Sequence, residues 1–350
     1  MADVMIRGRL IGPTQPCYII AEVGINHNGD MDLAVRSIAA AAAAGVDAVK
    51  FQNYRTEDFL SDHTLTYSYV SQGQQLVESQ YDMFKRCELT ADSLIRLKRE
   101  CDKQGVHFIS TPTSEQGVDE LIAVGADACK NGSDYLGHLP LIRRMAASAM
   151  PTILSTGMAS LSDVDEAVDA FSSAGGKDLV LLHCVSAYPA PTAELNLRRI
   201  LTLAQAFDVP VGFSDHSEGI IAATVAASLG CCMVEKHFTL DRSLPGPDHG
   251  MSSTPEELRL LVDGVRQAQA ALGTAALGPV GAEIESRTSF RLSCVALRDL
   301  PAGTRLRAED LAFRRPGSGF RPALAPLLVG RTIRRDLPRG HVLVHEDFDA

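Results

Sequence analysis

The stretch VPVGFSDHSEGIIAATVAASLGCCMVEKHFTL, residues 209–240, decides the fold class. Its first apolar run ends in polar residues at Ser214 to Ser217, and a segment with helical spacing follows from Gly219 to Leu229. A second apolar run then ends in polar residues at Glu235 to His237. This alternation is typical of two parallel strands joined by a crossover helix.

The same unit recurs along the chain. Further apolar runs with polar ends begin at Cys17, Ala48, Val106, Ala128, Pro151 and Leu179. Helical segments such as Met31 to Ala44, Ala91 to Gln104 and Leu161 to Ala174 lie between most of the runs. Eight such units within roughly 250 residues predict a closed (β/α)8 TIM barrel, which is an α/β fold with its chemistry at the carboxyl ends of the strands.

Composition narrows the class of protein. The chain has 350 residues, a hydrophobic content of 45% and a formal net charge of −10, which argues against nucleic acid as a partner. No apolar stretch approaches the ~20 residues of a membrane span, and the amino terminus lacks the pattern of a signal peptide. The eight cysteines form no CxxC pair, so we interpret them as reduced core residues. A cytoplasmic location without a membrane partner is expected.

Charge and periodicity divide the chain. Residues 287–350 hold 12 arginines, no lysine and 7 acidic residues, whereas the rest of the chain is strongly acidic. Periodicity is lost near residues 275–290, which predicts a barrel over 1–272, a linker over 273–289 and a small β-rich domain over 290–350. Within that domain, DLPAGTRLRAEDLAF from Asp299 and DLPRGHVLVHEDFDA from Asp336 form a repeat, which predicts two related half-units.

Two histidines end the last two predicted strands. His216 and His237 would lie on adjacent strands at the same barrel rim, with Asp215, Glu235 and Asp248 close to them in sequence. Two imidazoles with carboxylates favour a divalent metal of the Mn, Fe, Co or Zn kind. The alternative is that each histidine is a structural hydrogen-bonding residue.

Lysines and hydroxyls end other strands. Lys50 and Lys130 follow the second and fourth runs, and hydroxyl side chains follow at Thr111, Ser133, Ser155 and Ser214. Together they predict a receptor for a small phosphorylated or carboxylated anion. Two alternatives stay open, namely a Schiff-base lysine and a surface lysine that extends its ammonium into solvent.

Three further features bear on a site. Glu22 and Gln52 end the first and second runs, where a carboxylate can bind sugar hydroxyls or transfer protons. Arg55 to Glu88 exceeds normal loop length, which is compatible with a lid or with a structural excursion. His183 lies in the middle of a run and is expected to be a hydrogen-bonded core residue.

Nine motifs, in order along nearly the whole chain, resemble the sialic acid synthase family. They are IAEVGINHNG, VKFQ, FISTP, KNGS, LSTGM, LLHCVSAYPAP, GFSDHS, EKHFTLDRSLPGPDHGMS and RRPGSGF. The family includes N-acetylneuraminate synthase and its legionaminate, pseudaminate and spore-coat polysaccharide relatives. The resemblance implies a barrel followed by an antifreeze-like (SAF) domain.

The resemblance also implies a reaction. The family condenses phosphoenolpyruvate with the open-chain aldehyde of an N-acyl amino sugar, releases phosphate and forms a nine-carbon 2-keto acid. The implied cofactor is a divalent metal, usually Mn²⁺ with Mg²⁺ or Co²⁺ as alternatives, held by the residues that match His216 and His237. A Schiff-base pyruvate aldolase acting on similar sugars is the alternative enzyme, and a glycan- or ice-binding small domain on an inactive barrel is the non-enzymatic alternative.

Motif positions imply roles for individual residues. Phosphoenolpyruvate would contact Lys50, Thr111, Lys130, Ser133, Ser155 and Ser214, whereas the amino sugar would contact Glu22, Gln52, Tyr188 and Asp248. Catalysis is assigned to Glu22, Lys50, Tyr188, His216 and His237. Arg315 matches an arginine that the antifreeze-like domain of one subunit presents to the barrel of the other, which implies a domain-swapped homodimer.

One position departs from the N-acetylneuraminate synthases. They have asparagine two residues before the tyrosine of YP, where this chain has Ser186. A hydroxyl cannot reproduce the paired donor and acceptor groups of an amide. Serine or threonine occurs there among the other relatives, so the acceptor is expected to be either N-acetylmannosamine or a diacetamido-trideoxyhexose, with Ser186 among the residues that contact it.

Overall fold

The structure is a computed structural model that describes residues 2–349. Its chain divides into two compact units, Met1–Gly273 and Thr274–Ala350. The first unit contains the repeated strand and helix pattern, and the second contains the arginine-rich repeat.

Eight parallel strands close into a barrel in the first unit, and this confirms the predicted fold class. In chain order they are Tyr18–Gly24, Ala48–Asn53, His107–Pro112, Ala128–Asn131, Thr152–Ser155, Leu179–Cys184, Val211–Asp215 and Met233–His237. We refer to them as the first to eighth barrel strands. Each pairs with its neighbours in sequence, and the eighth pairs with the first to complete the barrel.

Helices surround the barrel. The connections between strands carry Met31–Ala44, Thr56–Phe59, Gln80–Arg86, Ala91–Gln104, Glu115–Val124, Leu139–Ala147, Leu161–Ser173, Arg199–Phe207 and Ile221–Ser228, and Pro255–Leu272 follows the last strand. Met31–Ala44 begins after Asp30, whose carboxylate accepts the amides of Asp32 and Leu33, and it ends at Gly45 with φ 89°. Such local capping explains why this helix has its predicted bounds.

Alternation along the strands separates two apolar cores. Outward side chains such as Ile19, Phe51 and Phe213 pack with the helices, whereas inward side chains such as Ile20 and Ile109 fill the lower barrel. A hairpin formed by Val4–Ile6 and Arg9–Ile11 contributes Val4, Ile6 and Ile11 to the same inner core. The interior is therefore packed at its amino-terminal end, and only the carboxyl ends of the strands can hold a site.

The long connection Arg55 to Glu88 has secondary structure of its own. After the short helix Thr56–Phe59, strands Thr66–Ser71 and Gln74–Ser79 form an antiparallel hairpin, which we call the mouth hairpin. The helix Gln80–Arg86 follows it, with an N-cap at Ser79. The segment is thus a folded excursion from the barrel.

The second unit contains more helix than expected. Ile284–Phe290 is helical, so the predicted linker over 273–289 is only partly irregular. Strands Ser293–Ala296 and Leu311–Arg314 pair antiparallel, and a short helix spans Ala325–Leu328. Isolated antiparallel bridges such as Leu300 with Leu337 join the rest of the unit.

Hydrogen bonds in this unit follow the sequence repeat. Asp299 accepts the Arg339 amide at 2.7 Å, and the equivalent Asp336 accepts the Ala302 amide at 2.7 Å. Because Ala302 and Arg339 occupy matching positions of the two repeats, the bonds are reciprocal. The two half-units therefore interact with pseudo-twofold symmetry, as the repeat predicts.

A buried aspartate anchors each half-unit. Asp310 accepts Arg298 Nε at 2.8 Å and the Arg307 amide at 3.0 Å. Its equivalent Asp347 is fully buried and accepts Arg335, His341 and the Val344 amide at 2.7–3.0 Å. Both carboxylates compensate for burial with charged and backbone donors.

Across residues 2–349, no helix combines the length and the apolar character that crossing a bilayer demands. All eight cysteines are buried with free thiols, which agrees with their interpretation as core residues.

We predict that Asp347→Asn destabilises the second unit by about 2 kcal/mol at neutral pH, because it weakens the bonds to Arg335 and His341. Burial alone would raise the pKa of Asp347, but the Val344 amide, Arg335 and His341 outweigh burial and lower it. A lowered folded-state pKa stabilises the fold above the unfolded value of about 3.9 and loses that effect as the pH falls through the folded value. The difference between wild type and variant should therefore shrink below pH ~4.

Urea titrations of the full chain, followed by pulse-labelling hydrogen exchange of peptides from residues 293–349, measure this difference. Glu346→Gln is the matched control, since it removes the same charge from the exposed neighbouring residue. Equal stability losses in the two variants would contradict the prediction.

Candidate active site

A cavity of about 490 Å³ opens at the carboxyl ends of the barrel strands. Its lining contains every predicted site residue of the barrel: Glu22, Lys50, Gln52, Thr111, Lys130, Ser133, Ser155, Ser186, Tyr188, Ser214, His216, His237 and Asp248. Strand alternation explains the convergence of the lining residues that belong to strands, because their side chains point inward beyond the apolar core. Ser133, Ser186, Tyr188, His216 and Asp248 instead reach the cavity from the connections that follow the strands. For example, Tyr18, Ile20 and Glu22 succeed one another on one face of the first strand.

Four buried charged side chains form the floor of the cavity. The Lys50 ammonium lies 2.8 Å from a Glu22 oxygen and 3.7 Å from a Glu235 oxygen. The Lys130 ammonium lies 3.5 Å from the other Glu235 oxygen, which also accepts the Ser214 hydroxyl at 2.9 Å. All four charged side chains are at most 5% exposed, so they interact in an environment with little solvent screening.

The two carboxyl groups differ in their pKa values. Burial raises the pKa of Glu22, and Lys50 offsets this only in part. Burial alone would also raise the pKa of Glu235, but Lys130, Lys50 and Ser214 outweigh burial and lower the pKa of that carboxyl. Two carboxyl groups whose environments separate their pKa values are suited to acid–base catalysis. Glu22 is the one of the pair that more readily carries a proton.

The neighbouring carboxylates compensate for the burial of Lys130 less well than for the burial of Lys50. Burial lowers the pKa of Lys130, and the attraction of Glu235 does not restore it. In contrast, Glu22 and Glu235 outweigh burial at Lys50 and raise the pKa of that lysine. The cavity therefore contains a buried ammonium that an incoming anion would stabilise.

Hydroxyl groups surround the lysines. Thr111 accepts a hydrogen bond from Lys50 at 3.2 Å, and Ser133 accepts the Gly157 amide at 3.0 Å. The buried Ser155 hydroxyl has no hydrogen-bond partner among the described residues. Such a hydroxyl beside a cation can donate to an anionic oxygen.

The two histidines lie together at the rim. The His216 and His237 ring centroids are 5.4 Å apart, and the Tyr188 ring lies 4.2 Å from His216. His237 Nδ1 lies 3.8 Å from an Asp248 oxygen. The structure thus brings His216, His237 and Asp248 together, with the Tyr188 ring beside them.

The donor set at the histidines fits a divalent metal. His216 Nδ1 lies 2.9 Å from the Val185 carbonyl, to which it can donate, and Nε2 lies 3.5 Å from the Ser214 hydroxyl on the cavity side. His237 Nδ1 is buried and has no hydrogen-bond partner among residues 2–349. Within that range no cluster of three or more His, Cys, Asp or Glu side chains is arranged to bind a metal, so the candidate donors here are the two imidazoles.

Asp215 adjoins His216 in sequence but does not line the cavity. It accepts Lys236 at 2.9 Å and Ser217 at 2.6 Å on the outward side of the strands. Alternation is the reason, because Ser214 and His216 point inward and the residue between them points outward. Glu235, and not Asp215, is the carboxylate of these two strands that points into the cavity.

Two other predicted residues have clear positions. Ser186 lies beside Gly157, where any Cβ would collide with the Ser186 and Ser133 hydroxyls. Arg315 is exposed in the second unit, with its guanidinium 4.9 Å from the Phe290 ring centroid. His183, expected to be a core residue, is buried with Nε2 2.6 Å from the Leu195 carbonyl.

The sequence did not reveal the whole lining. Glu235 contacts both lysines and was noted only as a carboxylate near the histidines, although its alternation with His237 places it inside the barrel. Residues from the long second connection also line the cavity, notably Tyr54, Phe59, Tyr67, Met83 and Phe84. No periodic signal marks these residues, because they belong to irregular or short elements.

The protein is of the TIM-barrel class, with a buried pair of lysines and two rim histidines at the carboxyl ends of its strands. A small carboxyl-terminal domain follows the barrel in the chain. Residues 37–276 match the NeuB family, and residues 293–349 match the SAF domain. The chain belongs to the NeuB family and is an enzyme of the sialic acid synthase type.

Named relatives cover nearly the whole chain. It is 38% identical to the N,N'-diacetyllegionaminic acid synthase of Legionella pneumophila, over 97% of this chain and 96% of the relative. It is 31% identical to the human N-acetylneuraminate-9-phosphate synthase, over 98% of this chain and 95% of the human protein. The crystal structure of the spore coat polysaccharide biosynthesis protein SpsE of Bacillus subtilis matches with a TM-score of 0.68 at 33% identity, covering 100% of this chain and 99% of that one.

We predict that Lys130→Met weakens phosphoenolpyruvate binding about 10- to 100-fold, because it removes a buried charged donor. Isothermal titration calorimetry on the folded variant, checked by circular dichroism, measures the effect. Lys103→Met is the control, since Lys103 is a lysine whose side chain is 72% exposed on an outer helix. An equal change of affinity in both variants would show that Lys130 is not an anion ligand.

Proposed function

We propose that this enzyme condenses phosphoenolpyruvate with the open-chain aldehyde of an N-acyl amino sugar. Carbon 3 of phosphoenolpyruvate forms a bond to the aldehyde carbon, whose oxygen takes up a proton and becomes a hydroxyl. Water adds at carbon 2 and loses its protons as the bond from carbon 2 to the phosphate oxygen breaks. The products are inorganic phosphate and a nine-carbon 2-keto acid.

The observation that carries this proposal is the buried cluster of Lys50, Lys130, Glu22 and Glu235 beside two imidazoles. A phosphorylated carboxylate is small and highly charged, and two lysines in a site with little solvent can bind both of its anionic ends. The hydroxyls of the same layer would complete the contacts: Thr111, Ser133, Ser155 and Ser214.

The outer layer would hold the sugar. Gln52 donates to Glu22 at 3.2 Å, and both side chains face the cavity. We assign proton transfer at the aldehyde or the attacking water to Glu22, whose pKa burial raises. Tyr188 and Asp248 would orient the hydroxyls of the open chain.

We also propose that a divalent metal, Mn²⁺ with Mg²⁺ or Co²⁺ as alternatives, binds His216 and His237. When bound, such an ion can polarise a carbonyl oxygen and lower the pKa of water. The His216 contact with the Val185 carbonyl supports this assignment, as does His237 Nδ1, which has no hydrogen-bond partner within residues 2–349.

Other parts of the assignment rest on the family resemblance. We propose a domain-swapped homodimer in which Arg315 of one subunit contacts the N-acyl oxygen of the sugar in the other. The legionaminic acid synthase relatives favour a diacetamido-trideoxyhexose as acceptor, with N-acetylmannosamine as the alternative. The cytoplasmic location stays a prediction.

The reaction predicts a specific isotope result. With Mn²⁺, phosphate release should require an N-acyl amino sugar, and in water labelled with ¹⁸O the label should enter the keto acid at carbon 2. Mass spectrometry of both products, with the product kept from exchanging by immediate reduction, measures this. Label in the phosphate would indicate cleavage between phosphorus and oxygen and would contradict the proposed mechanism.

The alternative enzyme is a Schiff-base pyruvate aldolase, which needs a neutral lysine amine. The 2.8 Å ion pair with Glu22 opposes this role for Lys50, although burial lowers the pKa of Lys130. Borohydride added with pyruvate separates the two enzymes. A stable adduct on Lys50 or Lys130 would favour the aldolase, and unmodified protein with active phosphate release favours the synthase.

Loss of a residue that only orients a metal ligand weakens metal binding about 10- to 100-fold. Because His237→Ala removes a proposed ligand itself, we predict that it weakens Mn²⁺ binding by at least that factor. Electron paramagnetic resonance of free Mn²⁺ measures binding without reference to turnover. His63→Ala is the control, because His63 is an exposed histidine on the mouth side that stacks with Tyr81. Unchanged Mn²⁺ affinity in His237→Ala would remove the metal assignment.

A further inference from the structure

Three buried polar side chains lie at the carboxyl ends of the seventh and eighth strands, outside the cavity. They are Asp215, Ser217 and Lys236, and we call them the outer network. None of the three lines the cavity, and each is at most 2% exposed. The proposed chemistry uses none of them, so their place behind the two histidines needs a separate explanation.

Asp215 joins the two strand ends through its two carboxylate oxygens. Oδ1 accepts the Ser217 amide at 2.9 Å and the Ser217 hydroxyl at 2.6 Å, which closes a turn around His216. Oδ2 accepts the Lys236 ammonium at 2.9 Å from the neighbouring strand, and that ammonium also donates to the Ser217 carbonyl. Asp215 and Lys236 are direct partners in the strand register. His216 and His237 are the residues that follow them along the chain.

Stability alone does not account for this ion pair. The Lys236 side chain is 2% exposed and the Asp215 side chain is completely buried. Two charges removed from water to this degree contribute little net stability compared with apolar side chains of similar volume, although loss of one partner alone is strongly destabilising. What charge-assisted hydrogen bonds supply in addition is a fixed geometry between the groups that they join.

A metal ion requires such a fixed geometry from its ligands. Two imidazoles can hold one ion only if their nitrogens lie within about 0.2 Å of the ideal distances from it. His216 and His237 belong to different strand ends, with their ring centroids 5.4 Å apart. His216 bonds to the Val185 carbonyl, whereas His237 Nδ1 has no hydrogen-bond partner within residues 2–349. The position of one ring relative to the other therefore depends on how the two strand ends are held together.

We propose that the outer network positions His216 and His237 for binding one divalent metal ion. Asp215, Ser217 and Lys236 are positioning residues, because they act from outside the cavity. They hold the turn around His216 against the strand end that carries His237. The inference rests on the proposed metal site and deepens it, since it assigns the spacing of the two ligands to residues behind them.

A double variant without either charge separates positioning from stability. Asp215→Asn with Lys236→Met leaves no uncompensated buried charge and keeps an acceptor for Ser217, so the full-length protein should stay folded. We expect its Mn²⁺ affinity to fall at least about 10-fold, measured by electron paramagnetic resonance of free Mn²⁺. Its affinity for phosphoenolpyruvate without metal, measured by calorimetry, should change less than about 3-fold, because the lysines of the floor belong to other strands.

The matched control makes the same two substitutions at a distant ion pair. Lys98 lies 2.6 Å from Asp102 on the helix Ala91–Gln104, and its side chain is 13% exposed. Lys98→Met with Asp102→Asn should leave Mn²⁺ binding at the wild-type level.

A milder variant keeps both charges of the outer network. Ser217→Ala removes only the hydroxyl bond to Asp215 and should weaken Mn²⁺ binding about 3-fold. Ser37→Ala is its control, because Ser37 is an equally buried serine that bonds to the Leu33 carbonyl at 2.9 Å on the first helix. If the double variant does not fold, the comparison of these two serine variants decides the outcome.

The pattern of affinities tests the inference. Weaker Mn²⁺ binding in the double variant, with phosphoenolpyruvate affinity retained, supports it. Wild-type Mn²⁺ binding, an equal loss in the control, or a parallel loss of phosphoenolpyruvate affinity would overturn it while leaving the metal site in place. If His237→Ala binds Mn²⁺ as tightly as the wild type, the proposed metal site itself fails, and the inference fails with it.

Discussion

The buried ion pairs of the barrel interior constrain everything around them. Lys50 and Lys130 can lie within the barrel only because Glu22 and Glu235 lie 2.8–3.7 Å away, since an unpaired buried charge would cost several kcal/mol. Four such side chains need fixed positions, and the closed strand network supplies them. A ligand that binds here must replace some of these contacts, so a doubly anionic molecule fits better than a neutral one.

The same constraint explains why the fold and much of the site could be predicted together. Parallel strands buried on both faces are continuous apolar runs, and each run stops where its inward positions turn polar. On the fifth strand, for example, Ile153 lies in the inner core and Ser155 lies in the cavity two residues later. The ends of the runs therefore marked both the strand boundaries and the lining residues.

Proximity in sequence was less informative than alternation. Asp215 adjoins His216 but points to the opposite face, where it pairs with Lys236, whereas Glu235 shares the inward face with His237. The apolar lining residues of the long second connection, such as Tyr67 and Phe84, escaped prediction for a different reason. They come from a connection whose direction is set by tertiary contacts such as Gln72 with Ser243, and no period in the sequence encodes such contacts.

The division between strands and connections suggests how one reaction can serve different acceptors. Ion pairs and imidazoles on strand ends are held by the barrel hydrogen bonds, so substitution there would disturb the floor and the reaction at once. The mouth hairpin instead lies in a connection and bonds at its tip to the loop after the eighth strand, so its side chains are outside the hydrogen-bond network that positions Lys50. If the proposed function holds, selectivity for the outer end of the sugar therefore varies independently of the chemistry, because the two depend on different hydrogen-bond networks.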